Sequence, residues 1–186
     1  MSNRQGRLYV ISAPSGAGKG TLIKSIVSMR SDIKLSVSTT TRKPRRGEIN
    51  GVDYDFVSHD EFTSMIDNNE FLEYANYIGE YYGTPIKTIN EYVEKGVDII
   101  LEIEVKGAKQ VMEQKPDATT IFIVPPDMEE LERRLRKRGT DTEQQLKARL
   151  ERARVEMDEK VHYDHVVVND EIQRAVQEIN QIIDNY

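Results

Sequence analysis

The stretch Ala13-Pro14-Ser15-Gly16-Ala17-Gly18-Lys19-Gly20-Thr21 sets one lysine among three glycines, between the apolar run Leu8-Tyr9-Val10-Ile11 and the helix-like Leu22-Ile23-Lys24-Ser25-Ile26-Val27. A strand, a glycine-rich loop and a helix start, in that order, make a phosphate-binding loop. Glycines let successive backbone N–H groups curl inward around an anion, the helix start adds partial positive charge, and Lys19 adds a full one. The chemistry expected here is the holding of a nucleoside triphosphate. Against the pattern G-x-x-x-x-G-K-[ST], Ala13 replaces the first glycine and Gly20 stands where a metal-binding hydroxyl belongs. Thr21 is the candidate hydroxyl, one residue late. A glycine-rich turn with a surface lysine could share this composition, and the flanking strand and helix are what favour the phosphate reading.

Positive charge is gathered elsewhere too. The chain carries a net charge of −6, which argues against broad affinity for nucleic acid, yet Arg42-Lys43-Pro44-Arg45-Arg46 and Arg133-Arg134-Leu135-Arg136-Lys137-Arg138 concentrate its cations in two short runs. Such runs either handle small polyanions or are solvated basic faces. Other chemistries drop out. Without cysteine there are no disulfides, thiolate nucleophiles or Cys–zinc sites, and His59, His162 and His165 lack metal-ligand spacing.

These groups need a scaffold, and 186 residues with 38% hydrophobic content suffice for one globular unit with inserted subdomains. Strand patterns fall at 7–12, 35–38, 53–57, 71–75, 97–103, 119–124 and 165–168, and helix patterns at 19–29, 59–67, 86–95, 105–113, 127–137, 142–158 and 170–184. Ile99-Ile100-Leu101, Thr120-Ile121-Phe122-Ile123-Val124 and Val166-Val167-Val168 are nearly continuous apolar runs separated by helical stretches. They read as parallel strands buried on both faces. Residues 38–84, with Gly47, Gly51, Gly79, Gly83 and many tyrosines, read as a small mixed-strand insertion. No apolar run reaches the roughly 20 residues that span a bilayer, and the polar start Met1-Ser2-Asn3-Arg4-Gln5 lacks a signal-peptide core. A soluble, cytoplasmic protein with no membrane or nucleic-acid partner is expected.

Four stretches, Ala13-Pro14-Ser15-Gly16-Ala17-Gly18-Lys19, Ser38-Thr39-Thr40-Thr41-Arg42-Lys43-Pro44-Arg45, Gly47-Glu48-Ile49-Asn50-Gly51-Val52-Asp53-Tyr54 and Arg138-Gly139-Thr140, resemble the guanylate kinase family over nearly the whole chain. The pairing of T-T-R-x-P-R with G-E-x-x-G-x-D-Y is the specific part. This resemblance implies an α/β fold: a three-layer P-loop core around a parallel sheet (1–37, 85–126 and 159–186), a mixed-strand GMP-binding subdomain (38–84) and a mobile helical lid (127–158). It also implies transfer of the γ-phosphoryl group of ATP to GMP, giving ADP and GDP, with Mg²⁺ accompanying ATP and with dGMP as a further acceptor.

Site residues follow from the same resemblance. Ala13, Pro14, Ser15, Gly16, Ala17, Gly18, Lys19, Gly20 and Thr21 would surround the ATP phosphates, and Asn169 would lie near adenine or cap the helix after it. Arg42 and Arg45, with Tyr54 and Tyr82, would hold the GMP phosphate, for which guanidinium forks and phenol hydroxyls are suited. Glu73 would accept from guanine N1–H and its 2-amino group, with Ser38 and Thr84 as the hydroxyl partners of the base. Lys19, Arg42, Arg134, Arg138 and Arg149 would stabilise the group in flight, whereas Arg46, Arg133, Arg136, Lys137 and Arg152 read as a solvated face.

Glu102 and Glu104 alternate at the end of a strand and should face one side, with Glu102 contacting GMP and Glu104 orienting magnesium-bound water. Glu104 departs from the aspartate usual in the family, as Lys106 departs from its glutamine. No protein ligand for the metal is assigned firmly, so phosphates and waters are expected to hold most of it. Two alternatives remain open: an inactive kinase-like module that binds a phosphopeptide at the former GMP site, and a monophosphate kinase of other base choice. The sequence is silent on oligomeric state.

Overall fold

The computed structural model describes residues 4–77, 79–139 and 141–186. Its first sheet has five strands in the order β2-β7-β1-β8-β9, namely Ile33–Leu35, Asp98–Glu102, Leu8–Ser12, Thr119–Val124 and His165–Val168. β2 with β7 and β8 with β9 run parallel, as expected when helices separate the strands in sequence. β1 and β8 are buried along their whole length, which is why their side chains read as continuous apolar runs. β9 differs: Val167 is buried, but Val166 and Val168 are 43% and 36% exposed. Its all-valine pattern suggests burial on both faces, yet β9 is the last strand of the sheet.

The second sheet has the order β4-β3-β6-β5, formed by Asp55–Phe56, Thr39–Thr40, Glu80–Pro85 and Phe71–Tyr77. It is mixed: β3 runs parallel to β4 and antiparallel to β6, and β5 pairs antiparallel with β6. The alternation Ile33-Lys34-Leu35-Ser36-Val37-Ser38-Thr39-Thr40 reads as one strand region near 35–38. In the structure hydrogen bonding passes there from the first sheet to the second, β2 pairing with β7 and β3 with β6. β6 has no counterpart among the expected strands, because Gly83 interrupts the alternation that would mark it.

The helices are α1 (Lys19–Met29), α2 (His59–Asp67), α3 (Ile86–Glu94), α4 (Val105–Gln114), α5 (Met128–Arg138), α6 (Glu143–Asp158) and α7 (Ile172–Asp184). Their starts follow local chemistry. Ser58 with Glu61 and Thr142 with Gln145 form capping boxes on α2 and α6, and the Asp127 side chain accepts from Glu130 N–H on α5. Gly139, left-handed at φ 66°, ends α5. No described helix is long and apolar enough to cross a membrane.

By contacts the chain divides into two compact units. One contains the chain up to Tyr9 with Asp32–Leu101 and Lys106–Ala118, and the other Val10–Ser31, Glu102–Val105 and Thr119–Tyr186. In the second unit, Leu131 and Leu135 of α5 pack with Leu146 and Ala153 of α6. In the first, Phe62 of α2 stacks on Phe71 at 4.4 Å between ring centroids and on Tyr81 at 5.3 Å. Phe62 is fully buried, so removing its ring leaves a cavity between two aromatic neighbours. Phe62→Ala should destabilise the protein by about 3–5 kcal/mol in denaturant unfolding; a loss below about 1 kcal/mol would show that this stack is not a core.

Candidate functional site

The second unit contains the loop. Gly18 precedes α1 in the left-handed region at φ 93°, and it has no side chain with which to cap the helix. The first-turn N–H groups of α1 therefore start from a bare backbone turn, the arrangement that suits an anion. Lys19 donates from Nζ to the carbonyl of Ile103 at 2.8 Å, just beyond the end of β7, and Ser12 Oγ donates to the same oxygen at 3.1 Å. The ammonium is thus anchored to the strand end where an open parallel sheet places its ligands.

A cavity of about 380 Å³ opens beside it, bordered by Ala13, Pro14, Ser15, Gly16, Gly18, Lys19, Gly20, Thr21 and Lys24, with Glu102, Glu104, Arg152 and Glu156. Both alternating acids of the β7 end therefore line one side, as their spacing requires. Glu102 Oε1 lies 3.3 Å from where a Gly20 side chain would begin, so a carboxylate sits beside the position that lacks its hydroxyl.

Arginines from α5 and α6 reach the loop, Arg134 at its backbone and Arg149 at a side chain. Arg134 donates from Nη1 to Ala17 O at 3.3 Å, from Nη2 to Asn169 O at 2.8 Å and from Nε to Glu130 at 2.7 Å. Arg149 bridges Asp141 at 2.6 Å and Ser15 Oγ at 2.8 Å. Arg133 and Arg134 together hold the Glu130 carboxyl down at about 2. Asn169 donates from Nδ2 to Ala17 O at 2.7 Å, and its Oδ1 is buried with no protein partner. A side chain on Gly18 would begin only 2.5 Å from that Nδ2. The Arg138 side chain and Thr140 lie outside the described residues.

Arg152 carries more than its sequence position suggests. It lines the cavity and donates to Glu156 at 2.6 Å and to Glu104 at 2.7 Å. Burial works against its charge, but the two carboxylates outweigh burial and raise its pKa. The available signal was helical spacing: Arg149, Arg152 and Glu156 are three and four residues apart on α6. Arg133 and Arg136, by contrast, pair with Glu130, Glu132 and Glu143 at the surface, as a solvated face would.

The first unit contains the other group. Arg42 makes a two-pronged contact with Glu48, Nη1 to Oε2 and Nη2 to Oε1, both at 2.9 Å, and its guanidinium lies 5.3 Å from the Tyr54 ring centre. Tyr82 meets the Tyr54 ring edge-on at 6.1 Å, while Arg45 is exposed and offers its backbone N–H to Glu48 at 2.6 Å. In the same sheet, Glu73 on β5 and Thr84 on β6, two residues beyond Tyr82, are register partners. Thr84 Oγ1 donates to Glu73 Oε1 at 2.6 Å, with Glu73 only 6% exposed. Ser38 immediately precedes β3, whose Thr39 pairs with Gly83, and its hydroxyl-bearing residue is half-buried. Glu48 was not singled out from the sequence, though its place in G-E-x-x-G was the clue.

Comparison with known proteins fits this arrangement. The guanylate kinase family model matches residues 5–186. This chain belongs to the guanylate kinase family. It is 51% identical over 186 residues to the guanylate kinase of Latilactobacillus sakei, covering 100% of this chain and 91% of that one. To that of Prochlorococcus marinus it is 47% identical over 177 residues, covering 95% and 96%. Among solved structures it is similar to guanylate kinase from Anaplasma phagocytophilum, with a TM-score of 0.78, 35% identity, and coverage of 97% of this chain and 86% of that one. The P-loop α/β fold expected from the sequence is therefore the fold of this chain.

The Arg42–Glu48 contact has a pH consequence. Hydrogen bonds from the Arg42 side chain, then from the Arg45 N–H, lower the Glu48 carboxyl from 4.5 to about 2. A depressed carboxyl favours the folded arrangement above its ordinary range, and that contribution fades as the pH falls from about 4.5 through about 2. Carboxyl-carbon NMR of the ligand-free protein should place the Glu48 midpoint near 2; a midpoint near 4.5 would mean that the pair is not held in solution.

Proposed function

We propose that this chain transfers the γ-phosphoryl group of ATP to GMP, with the loop around Lys19 holding the donor and the sheet bearing Arg42 and Glu73 holding the acceptor. The observation that carries the base assignment is the buried Glu73–Thr84 pair. Guanine presents N1–H and its 2-amino group side by side, and a buried carboxylate accepts from both. Adenine offers an acceptor at N1 and meets the same carboxylate with repulsion.

A monophosphate acceptor needs no general base, because its second pKa is about 6 and its oxygens are largely ionised at pH 7. The work left to the protein is bringing two polyanions together, which calls for fixed cations and exclusion of water. Lys19, Arg134 and Arg149 would act on the donor, with Asn169 near adenine. Arg42 and Arg45, with Tyr54 and Tyr82, would hold the acceptor phosphate, and Arg138 completes the lid set by resemblance. The segments 38–84 and 127–158 would serve as acceptor subdomain and lid.

The carboxylates of Glu102 and Glu104 beside the loop fit magnesium entering with ATP, an ion that keeps waters and takes one or two carboxylates alongside phosphate oxygens. Glu104 would act through water, and when bound the ion would neutralise charge on the triphosphate. The lysine and arginines at the loop weigh against an inactive peptide-binding module, for which Lys19 would have no task.

Lys19→Ala should keep the fold and lower kcat at least about 10²-fold, and Lys19→Arg should not restore it, because a planar fork does not replace a compact ammonium. Retention of a third of the wild-type rate by either variant would dismiss the loop assignment. In a coupled assay with ATP, GMP should exceed AMP in kcat/KM by about 10⁴. Glu73→Gln should shrink the ratio of kcat/KM for GMP over IMP, which lacks the 2-amino group. Proportional losses on both substrates would make Glu73 a strand support.

A further inference from the structure

Gly107 is the third residue of α4, and no left-handed backbone explains it. Alanine is the better helix former at such a position, so the glycine works against its own helix. The reason lies across the packing. A Cβ on Gly107 would stand 2.5 Å from Glu73 Oε2, 3.1 Å from Cδ and 3.4 Å from Cγ. The side chain crowding that space is the buried carboxylate assigned above to the base.

Neither partner has an easy retreat. Gln110 of α4 accepts from Tyr74 N–H at 3.2 Å and donates to Tyr74 O at 3.0 Å, and Gln114 donates to Leu72 O at 2.8 Å. The helix is therefore fastened to β5 on both sides of Glu73, which opposes its sliding away. On the other side Thr84 holds Oε1 at 2.6 Å. A methyl group at 107 would have to be accommodated mainly by turning the carboxylate, because the atoms it meets are the end of a side chain rather than backbone.

We propose that Gly107 is a positioning residue for base selection: its missing side chain fixes the orientation in which Glu73 meets the acceptor base. This rests on the reading of Glu73 as the group that accepts from guanine. Gly107→Ala should raise KM for GMP about tenfold with kcat nearly kept, the scale of one charge-assisted hydrogen bond weakened. IMP, which offers one donor fewer, should lose less, so the GMP over IMP ratio falls. Glu73→Asp withdraws the carboxylate by one methylene and makes room for the methyl group. In the Glu73→Asp background, Gly107→Ala should therefore leave the GMP over IMP ratio unchanged, whereas in the parent chain it lowers it.

Equal losses on GMP and IMP in Gly107→Ala, or the same fall in the ratio when Gly107→Ala is added to Glu73→Asp, would overturn the proposal. If Gly107→Ala does not fold, recovery of folding in the double variant supports it, and failure of both overturns it in favour of a purely structural glycine. Glu73→Gln in the parent chain keeps the two readings apart. An unchanged ratio there removes the base reading and this inference with it, whereas a changed ratio beside an indifferent Gly107→Ala removes only the inference.

Discussion

Cations that are to meet phosphate, as proposed for Lys19, Arg42, Arg134 and Arg149, must be kept apart and in place before any phosphate arrives, and this constraint bears on both units. Carboxylates do the holding. Arg42 is gripped by Glu48, Arg134 by Glu130 and Arg149 by Asp141. The six side chains keep between 14% and 28% of their surface exposed, so each pair orients its guanidinium while water still reaches it. An incoming phosphate carries more charge than one carboxylate and can share or take over the fork. Such a pairing suits an arginine that, under the proposed function, changes partners.

Lys19 is held by the backbone as well. Its visible anchor is a backbone carbonyl at the end of β7, shared with Ser12 and carrying no formal charge. That carbonyl sets the direction of the ammonium. Around it the loop is stiffened through its carbonyls: Ala17 O receives both Arg134 and Asn169. Occupying the outward carbonyl in this way leaves the curl of N–H groups to the anion.

The legible part of the fold was whatever repeats with a period. The loop, α1 and the strands β1, β7 and β8 announce themselves, because apolar runs bounded by glycine and helical patterns have few other readings. Short strands did not. β6 is masked by Gly83, and the passage from β2 to β3 leaves no mark in an uninterrupted alternation. β9 looks fully buried only because an edge position is a property of the assembled sheet. The same division holds for the site. Lys19, Arg42 and Glu48 lie inside quoted motifs, and Glu73 and Thr84 come only from the family resemblance, whereas the contacts of Arg152 with Glu104 and of Gly107 with Glu73 join segments that spacing along the chain does not bring together.

Whether donor and acceptor anions are held by separate groups of residues can be read by amide NMR of the protein with magnesium-ADP and with GMP added separately. The account predicts that ADP shifts the amides of Ser15–Thr21 and their neighbours at Glu102 and Asn169, while GMP shifts those around Arg42, Tyr54, Glu73 and Thr84. If GMP alone moved the loop amides as far as ADP does and left the Arg42 and Glu73 regions unmoved, the division of labour described here would be wrong.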